Sequence, residues 1–445
     1  MTMKKIGPFF LLLWSVCPAS ADEWDREGTA LASSCGNLTG GFAAIASCGQ
    51  FFFNSGKPLR LMIPTSVVPG GGTALGPLFI QPLDIHNWPE SNLTINGGSS
   101  LRGFWFGNAV MTLNHRKFGG EWNTARDEFQ IQIYGKTRGL PLMPFYGIGP
   151  NTAKSSLVDY SERDARGGAS VFVPLQSWFA AGGLAEFLST QIGGESGASV
   201  RSINTYYSEA TAPGLGQTTN YGHFQIYARP KKDWRWTTVN TNVSFDYYKA
   251  GGTGLFTSRK FRVDYLQKIY PESQKDPSGG VGANGHRKQP KYDSVFYIAA
   301  RFTDASAGAG SVVPFYLQET LGGSDIDNVP TLRGFADYRF RAPALFSIQT
   351  QYERRLLPDT PPGAQTSTLR RAVGAIGVLA FFDAGEVAAK AGNLNFGNVR
   401  QSFGFGLSLW AGNKVWFRTY IGLGSGEGSH LFLGISDPSA QSPHL

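Results

Sequence analysis

Six histidines are the first side chains in this sequence to weigh for chemistry. His86, His115, His223, His286, His430 and His444 show none of the i, i+4 pairing that a helix-borne zinc site needs. No Gly-x-Ser-x-Gly stretch offers a nucleophile elbow. His223 lies in a strand-like run on the side of Gln225 and Tyr227, away from the outer face where a barrel phospholipase would need its Ser and His together. Asp and Glu do not gather at metal-ligand spacing. Gly422 to Gly428 imitates a phosphate loop, but it falls between two strands with no helix N-terminus to hold an anion, and a hairpin turn accounts for it. No enzyme, cofactor or metal is expected.

Arginine offers a different chemistry. The stretch Thr331–Arg341 reads TLRGFADYRFR and opens with Leu332, Arg333, Gly334 and Phe335. Downstream come FFDAG, Phe381–Gly385, and GFGLSL, Gly404–Leu409. In this order, the motifs resemble the carboxyl half of the BamA/TamA superfamily of outer-membrane barrels, also called the bacterial surface antigen family. The resemblance implies that the loop bearing Arg333 folds back into the barrel lumen. It also implies that Arg333 meets Asp383 of the Phe381-x-Asp383-x-Gly385 motif on a nearby strand. The physics agrees, because a desolvated guanidinium must be paired and a carboxylate accepts two of its N–H groups at once. Glu353, on the polar face of its own strand, is a second candidate partner, and Gly334 lets the loop turn sharply. Asp337, Tyr338, Arg339 and Arg341 either lock the loop base to the wall or form a solvated stem. A second Leu-Arg-Gly-Phe, Leu101–Phe104, lacks the DYRFR continuation and is read as coincidence.

The elements that would position these residues are strands. Phe129, Ile131 and Ile133 alternate with Gln130, Gln132 and Tyr134; Phe346, Ile348 and Tyr352 alternate with Ser347, Gln351 and Glu353. The same period of two recurs in 237–247, 296–303, 403–409 and 415–423, giving one apolar and one polar or small face. Gly404 and Gly406 fall on the inner face, and Leu93–Asn114 is strand-like without a clear register. Pro58–Val68 is a candidate first strand ending at Pro69–Gly72, and Ser429–Ser436 the last. Trp234, Trp236, Tyr247 and Tyr248 lie near strand ends, where a barrel places its aromatic girdles. Pro230–Asp233 reads as a short turn, and Gln191–Thr219 and Ser273–Lys291 as long loops, which predicts turns at one rim and loops at the other.

Composition agrees. Of 445 residues, 41% are hydrophobic and only 16% charged, with 57 glycines and 13% aromatics. About 25% charged is usual for a soluble domain, so the low share favours many strands and turns. The formal charge of +8 is scattered rather than clustered, which argues against nucleic acid. Lys4 and Lys5, the apolar run Phe9–Val16 and the Ala19-Ser20-Ala21 site predict a secretory signal peptide, 1–21. A 22–56 periplasmic or plug-like segment follows, with no room for a POTRA domain; its Cys35 and Cys48 either pair or remain buried thiols. No later stretch is long and apolar enough for a spanning helix, so a membrane-crossing chain of this kind must be a closed barrel.

The expected fold is therefore all-β: a transmembrane antiparallel β-barrel over 57–437, with a polar tail, 438–445. An even count of about sixteen strands and the in-folded LRGF loop are implied by the resemblance. So is a role in inserting or translocating proteins or lipids at the bacterial outer membrane. The partners would be outer-membrane lipid and nascent outer-membrane proteins or periplasmic factors. A diffusion channel and a structural surface antigen are the alternatives.

Overall fold

The computed structural model describes residues 59–61, 65–115, 129–194, 200–234, 236–251, 254–269, 293–356, 376–411, 414–424 and 426–434. The signal segment, the 22–56 element with both cysteines, Pro58, Pro64, Ser273–Lys291, and the polar tail lie outside the described residues.

Alternating sequence produces strands almost throughout. The first part holds β1 (Leu59–Leu61), β2 (Thr65–Ser66), β3 (Thr73–Leu75), β4 (Pro77–Ile85), β5 (Trp88–Ser100), β6 (Trp105–His115) and β7 (Phe129–Phe145). Then come β8 (Val158–Gln176), β9 (Phe179–Gly194), β10 (Arg201–Ser202), β11 (Thr218–Asp233), β12 (Thr237–Ala250), β13 (Leu255–Ile269) and β14 (Ser294–Ala307). The connection 308–343 carries β15 (Glu319–Leu321) and β16 (Phe340–Ala342), which form a separate two-stranded pair, with Arg341 of β16 also bridged to Gly149. The chain continues through β17 (Ala344–Arg355), β18 (Ile376–Ala388), β19 (Arg400–Ala411), β20 (Lys414–Gly424) and β21 (Gly428–Gly434).

Nineteen strands form one sheet. Three of them, β2, β3 and β10, are two- or three-residue side pairings, which leaves a run of sixteen. That run is antiparallel from β1 on β4 to β20 on β21; among the described residues the one parallel contact is β10 against β8. The sheet rolls around the 308–343 connection, which bonds to β8, β13, β14, β17 and β18 from inside. Lys154, between β7 and β8, donates 3.0 Å to Glu427 O in the β20–β21 turn, joining distant parts of the run. Among the described residues no ladder joins β1 to β21.

Burial is inverted relative to a soluble fold. On β19, Phe403, Phe405 and Leu407 are 58%, 63% and 50% exposed, whereas Ser402 and Ser408 on either side of them are fully buried. On β12, Val243 and Phe245 face out while Ser244 and Asp246 are buried. A folded chain in water hides such apolar side chains and leaves charges out. Here the period-two pattern is kept with its apolar face outward. The long strands, such as the 19 residues of β8, exceed the roughly ten residues needed to cross lipid at a tilt.

Several boundaries differ from expectation. Pro230–Asp233 belongs to β11, so the tight turn comes after it. Pro58–Val68 is not one strand: β1 pairs with β4, and β2 with β3. Leu93–Asn114 resolves into β5 and β6, and Leu101–Phe104 is the hairpin between them. Tyr248 is no girdle residue; its ring turns inward and stacks on His223. Long connections are not confined to one rim. The antiparallel order puts the β9–β11 and β13–β14 connections at opposite rims, because three strand reversals separate them.

Candidate functional site

The site is built from the 308–343 connection and the inner face of the wall. Leu332 and Phe335 pack with Leu321, Phe340, Leu345 and Val387, so apolar burial draws the loop inward. Gly334 makes the close approach possible: a Cβ there would stand 2.5 Å from the Leu423 carbonyl carbon. The loop backbone lies directly on β20, whose Gly422 and Gly424 would equally collide with it if they carried side chains. The glycine-rich 422–428 stretch is thus a landing strip leading into a turn.

Arg333 is held by Asp383. Its Nε donates 2.9 Å to Oδ2 and its Nη2 2.6 Å to Oδ1, a two-pronged pair, and its own backbone N–H adds 3.0 Å to Oδ2. Nη1 donates to Gln351 Oε1 at 2.5 Å and Nη2 also reaches Thr350 O at 3.2 Å. The guanidinium lies 3.8 Å from the Phe381 ring centroid, which offers its electron-rich face to a cation that water cannot reach. Asp383 is fully buried. Gly385 and Phe381 share its inward face, and Arg333 is the residue of the loop motif that meets Asp383 and Phe381 directly. Gly404 and Gly406 face inward too, with Gly404 packed beneath the Phe381 ring.

Glu353 is not a direct partner of Arg333. It accepts from Arg418 Nε at 3.0 Å and Nη2 at 2.9 Å, and from Gln351 at 3.1 Å. Gln351 therefore links the two ion pairs. The alternation placed Glu353 on the inner face correctly, but strand order brings Arg418 closer than Arg333.

The stem residues are engaged rather than solvated. Asp337 accepts from Ser324 N, and burial pushes its carboxyl up to about 6. Tyr338 donates to Pro69 O at 3.3 Å. Arg339 contacts Glu427 at 2.8 Å and Thr152 O at 2.7 Å. Arg341 donates 2.6 Å to Phe315 O and reaches the Tyr160 hydroxyl. Two further ion pairs tie the connection to the wall: Glu319 with Lys260 at 2.8 Å, and Asp325 with Arg301 at 2.7 Å. Sequence reasoning did not single out Arg418, Lys260 or Arg301. Their signal was a charge recurring on the polar side of an alternating strand. Among the described residues no cluster of His, Cys, Asp and Glu is arranged to hold a metal ion. The arrangement anchors a connection.

Comparison with protein-family models and with curated proteins finds no match. Solved structures do match. BamA from Haemophilus ducreyi lacking POTRA domains 1–3 aligns at 11% identity and TM-score 0.48, over 85% of this chain and 67% of that one. CdiB from Acinetobacter baumannii aligns at 9% and 0.42, over 79% of this chain and 52% of the other. OccK10 from Pseudomonas aeruginosa aligns at 8% and 0.29, over 81% and 90%. With these three TM-scores under 0.5, the fold rests on the chain's own ladders and its inverted burial.

Proposed function

We propose that this chain is an outer-membrane barrel of the BamA/TamA type that helps insert or translocate proteins or lipids, its lumen held by the in-folded Arg333 loop. The observation that carries this reading is the seating of Arg333 on Asp383 inside a sheet whose exposed face is apolar. A buried, doubly bonded guanidinium is a rigid anchor. It keeps a long connection inside the cylinder, where it supports the wall and occupies space a wide pore would need. The exposed face fits lipid, which cannot hydrogen-bond an open backbone and so demands a rolled sheet.

A diffusion channel is the second reading. It is favoured by the inner face of β5 and β6, where Asn92, Thr94, Asn96, Asn108, Thr112 and Asn114 are polar, uncharged and only half-buried.

One experiment separates them. The purified protein is reconstituted in bilayers, and single-channel conductance is measured beside the rate at which a reporter barrel inserts. Faster reporter insertion with no steady open current supports the assembly reading. Steady current without insertion supports the channel. Full solubility without detergent, with no heat-dependent shift in gel mobility, removes both.

A further inference from the structure

Both ring nitrogens of His223 face carboxylates. Nδ1 lies 2.8 Å from Glu186 Oε1 and Nε2 lies 2.9 Å from Asp246 Oδ1. The ring is on β11, Glu186 directly opposite on β9, and Asp246 on β12, so one side chain bridges three strands. A neutral imidazole carries one N–H and one bare nitrogen. A bare nitrogen against a carboxylate oxygen at that distance is repelled. The three groups together must therefore hold one proton more than a neutral ring and two carboxylates possess.

The surroundings put that proton on the ring. Glu186 already accepts from the Tyr134 hydroxyl at 2.8 Å through its other oxygen. Asp246 Oδ1 already accepts from the Gln225 amide at 2.7 Å. Oxygens gathering several donors are carboxylate oxygens. The His223 ring lies flat on Tyr248, with centroids 4.0 Å apart and planes 3° from parallel, and an aromatic face favours a cation. The charged and titratable groups that face the ring or its two carboxylates are Tyr134 from β7, Arg166 from β8, Glu186 from β9, Asp246 and Tyr248 from β12, and Lys260 from β13. Gly168 lets Tyr134 take part. It stands in register between Tyr134 and Glu186, and a Cβ on it would come 2.5 Å from Glu186 Cβ, where the tyrosine must pass over β8.

We propose that His223 is a doubly protonated tie that clamps β9, β11 and β12 at mid-wall, and that removing one proton frees a carboxylate and loosens the wall that holds the 308–343 connection. The link to that connection is Lys260, one step along the same inner face from Asp246 and bonded to Glu319. The tie stands whether the barrel inserts clients or passes solutes.

The test uses the full-length protein in detergent or bilayers with nitrogen-15 histidine. Near neutral pH the ring whose signals move in Asp246→Asn should show both nitrogens protonated. A ring with one bare nitrogen there overturns the proposal. The midpoint of the heat-dependent gel shift gives a second reading. A proton bound only in the folded wall makes stability fall as pH rises above about 6.5, the ordinary histidine value. Wild type should lose several degrees over that rise, and His223→Gln, which keeps one donor, should lose none. An equal loss in the variant overturns the tie. If the variant does not fold, the ring signals of the wild type decide alone.

Discussion

Two stretches of the inner wall contrast. From β7 to β20 the wall is charged: Arg138 with Asp164, Lys260 with Glu319, Arg301 with Asp325, Arg333 with Asp383 and Arg418 with Glu353. Where β5 and β6 pair, the inner positions from Asn92 to Gly98 and their partners carry no charge: amides and hydroxyls, as in the Asn108 to Asn96 hydrogen bond of 3.1 Å, with Val110 and Phe106 among them. Three of the five ion pairs join the wall to the 308–343 connection. Charge inside this cylinder therefore follows the in-folded segment. Where the segment docks, cations and anions are desolvated and must be matched. Where it does not, the wall stays wet and neutral groups suffice.

The contrast can be broken most severely at Asp383. Asp383→Ala strands the Arg333 guanidinium in a buried site, and losing one partner of such a pair costs about 3–5 kcal/mol. Unfolding by denaturant in micelles measures it. Arg333→Ala should cost nearly as much, and the double variant much less than the sum; additive costs would mean that the two side chains do not act together. A middle-sized effect is expected for Gly334→Ala. The added methyl meets the β20 backbone 2.5 Å away, and the overpacking should cost about 1–3 kcal/mol by the same measurement. An unchanged unfolding midpoint would show that the loop does not lie against β20. The smallest effect belongs to the neutral wall. Asn108→Ala should stay within about 0.5 kcal/mol of wild type, because water replaces the lost amide. A cost matching that of Asp383→Ala would erase the distinction between the two stretches.

Much of the fold was legible because strand periodicity survives without knowing which side is wet. The alternation of Phe403, Phe405 and Leu407 with small residues placed Gly404 and Gly406 inward without any coordinates. Period alone does not reveal which distant strands become neighbours. That is why Glu353 looked like a partner for Arg333 while Arg418 went unnoticed. The pairing of Arg333 with Asp383 came from a family resemblance, since 50 residues of separation leave no local trace. Register was blurred in Leu93–Asn114, where Gly and Ser populate both faces. The His223 tie was half visible: its inward side was readable, its two carboxylates on other strands were not.

The stem of the in-folded connection reaches far along the chain, with Tyr338 bonded to a carbonyl 269 residues earlier and Arg339 to one 187 residues earlier. A cylinder that encloses its own connection cannot be rolled up first and filled afterwards. The segment has to be swallowed as the final staves arrive, so the slow step of biogenesis should be a late, non-local one in which nearly the whole chain must already be present.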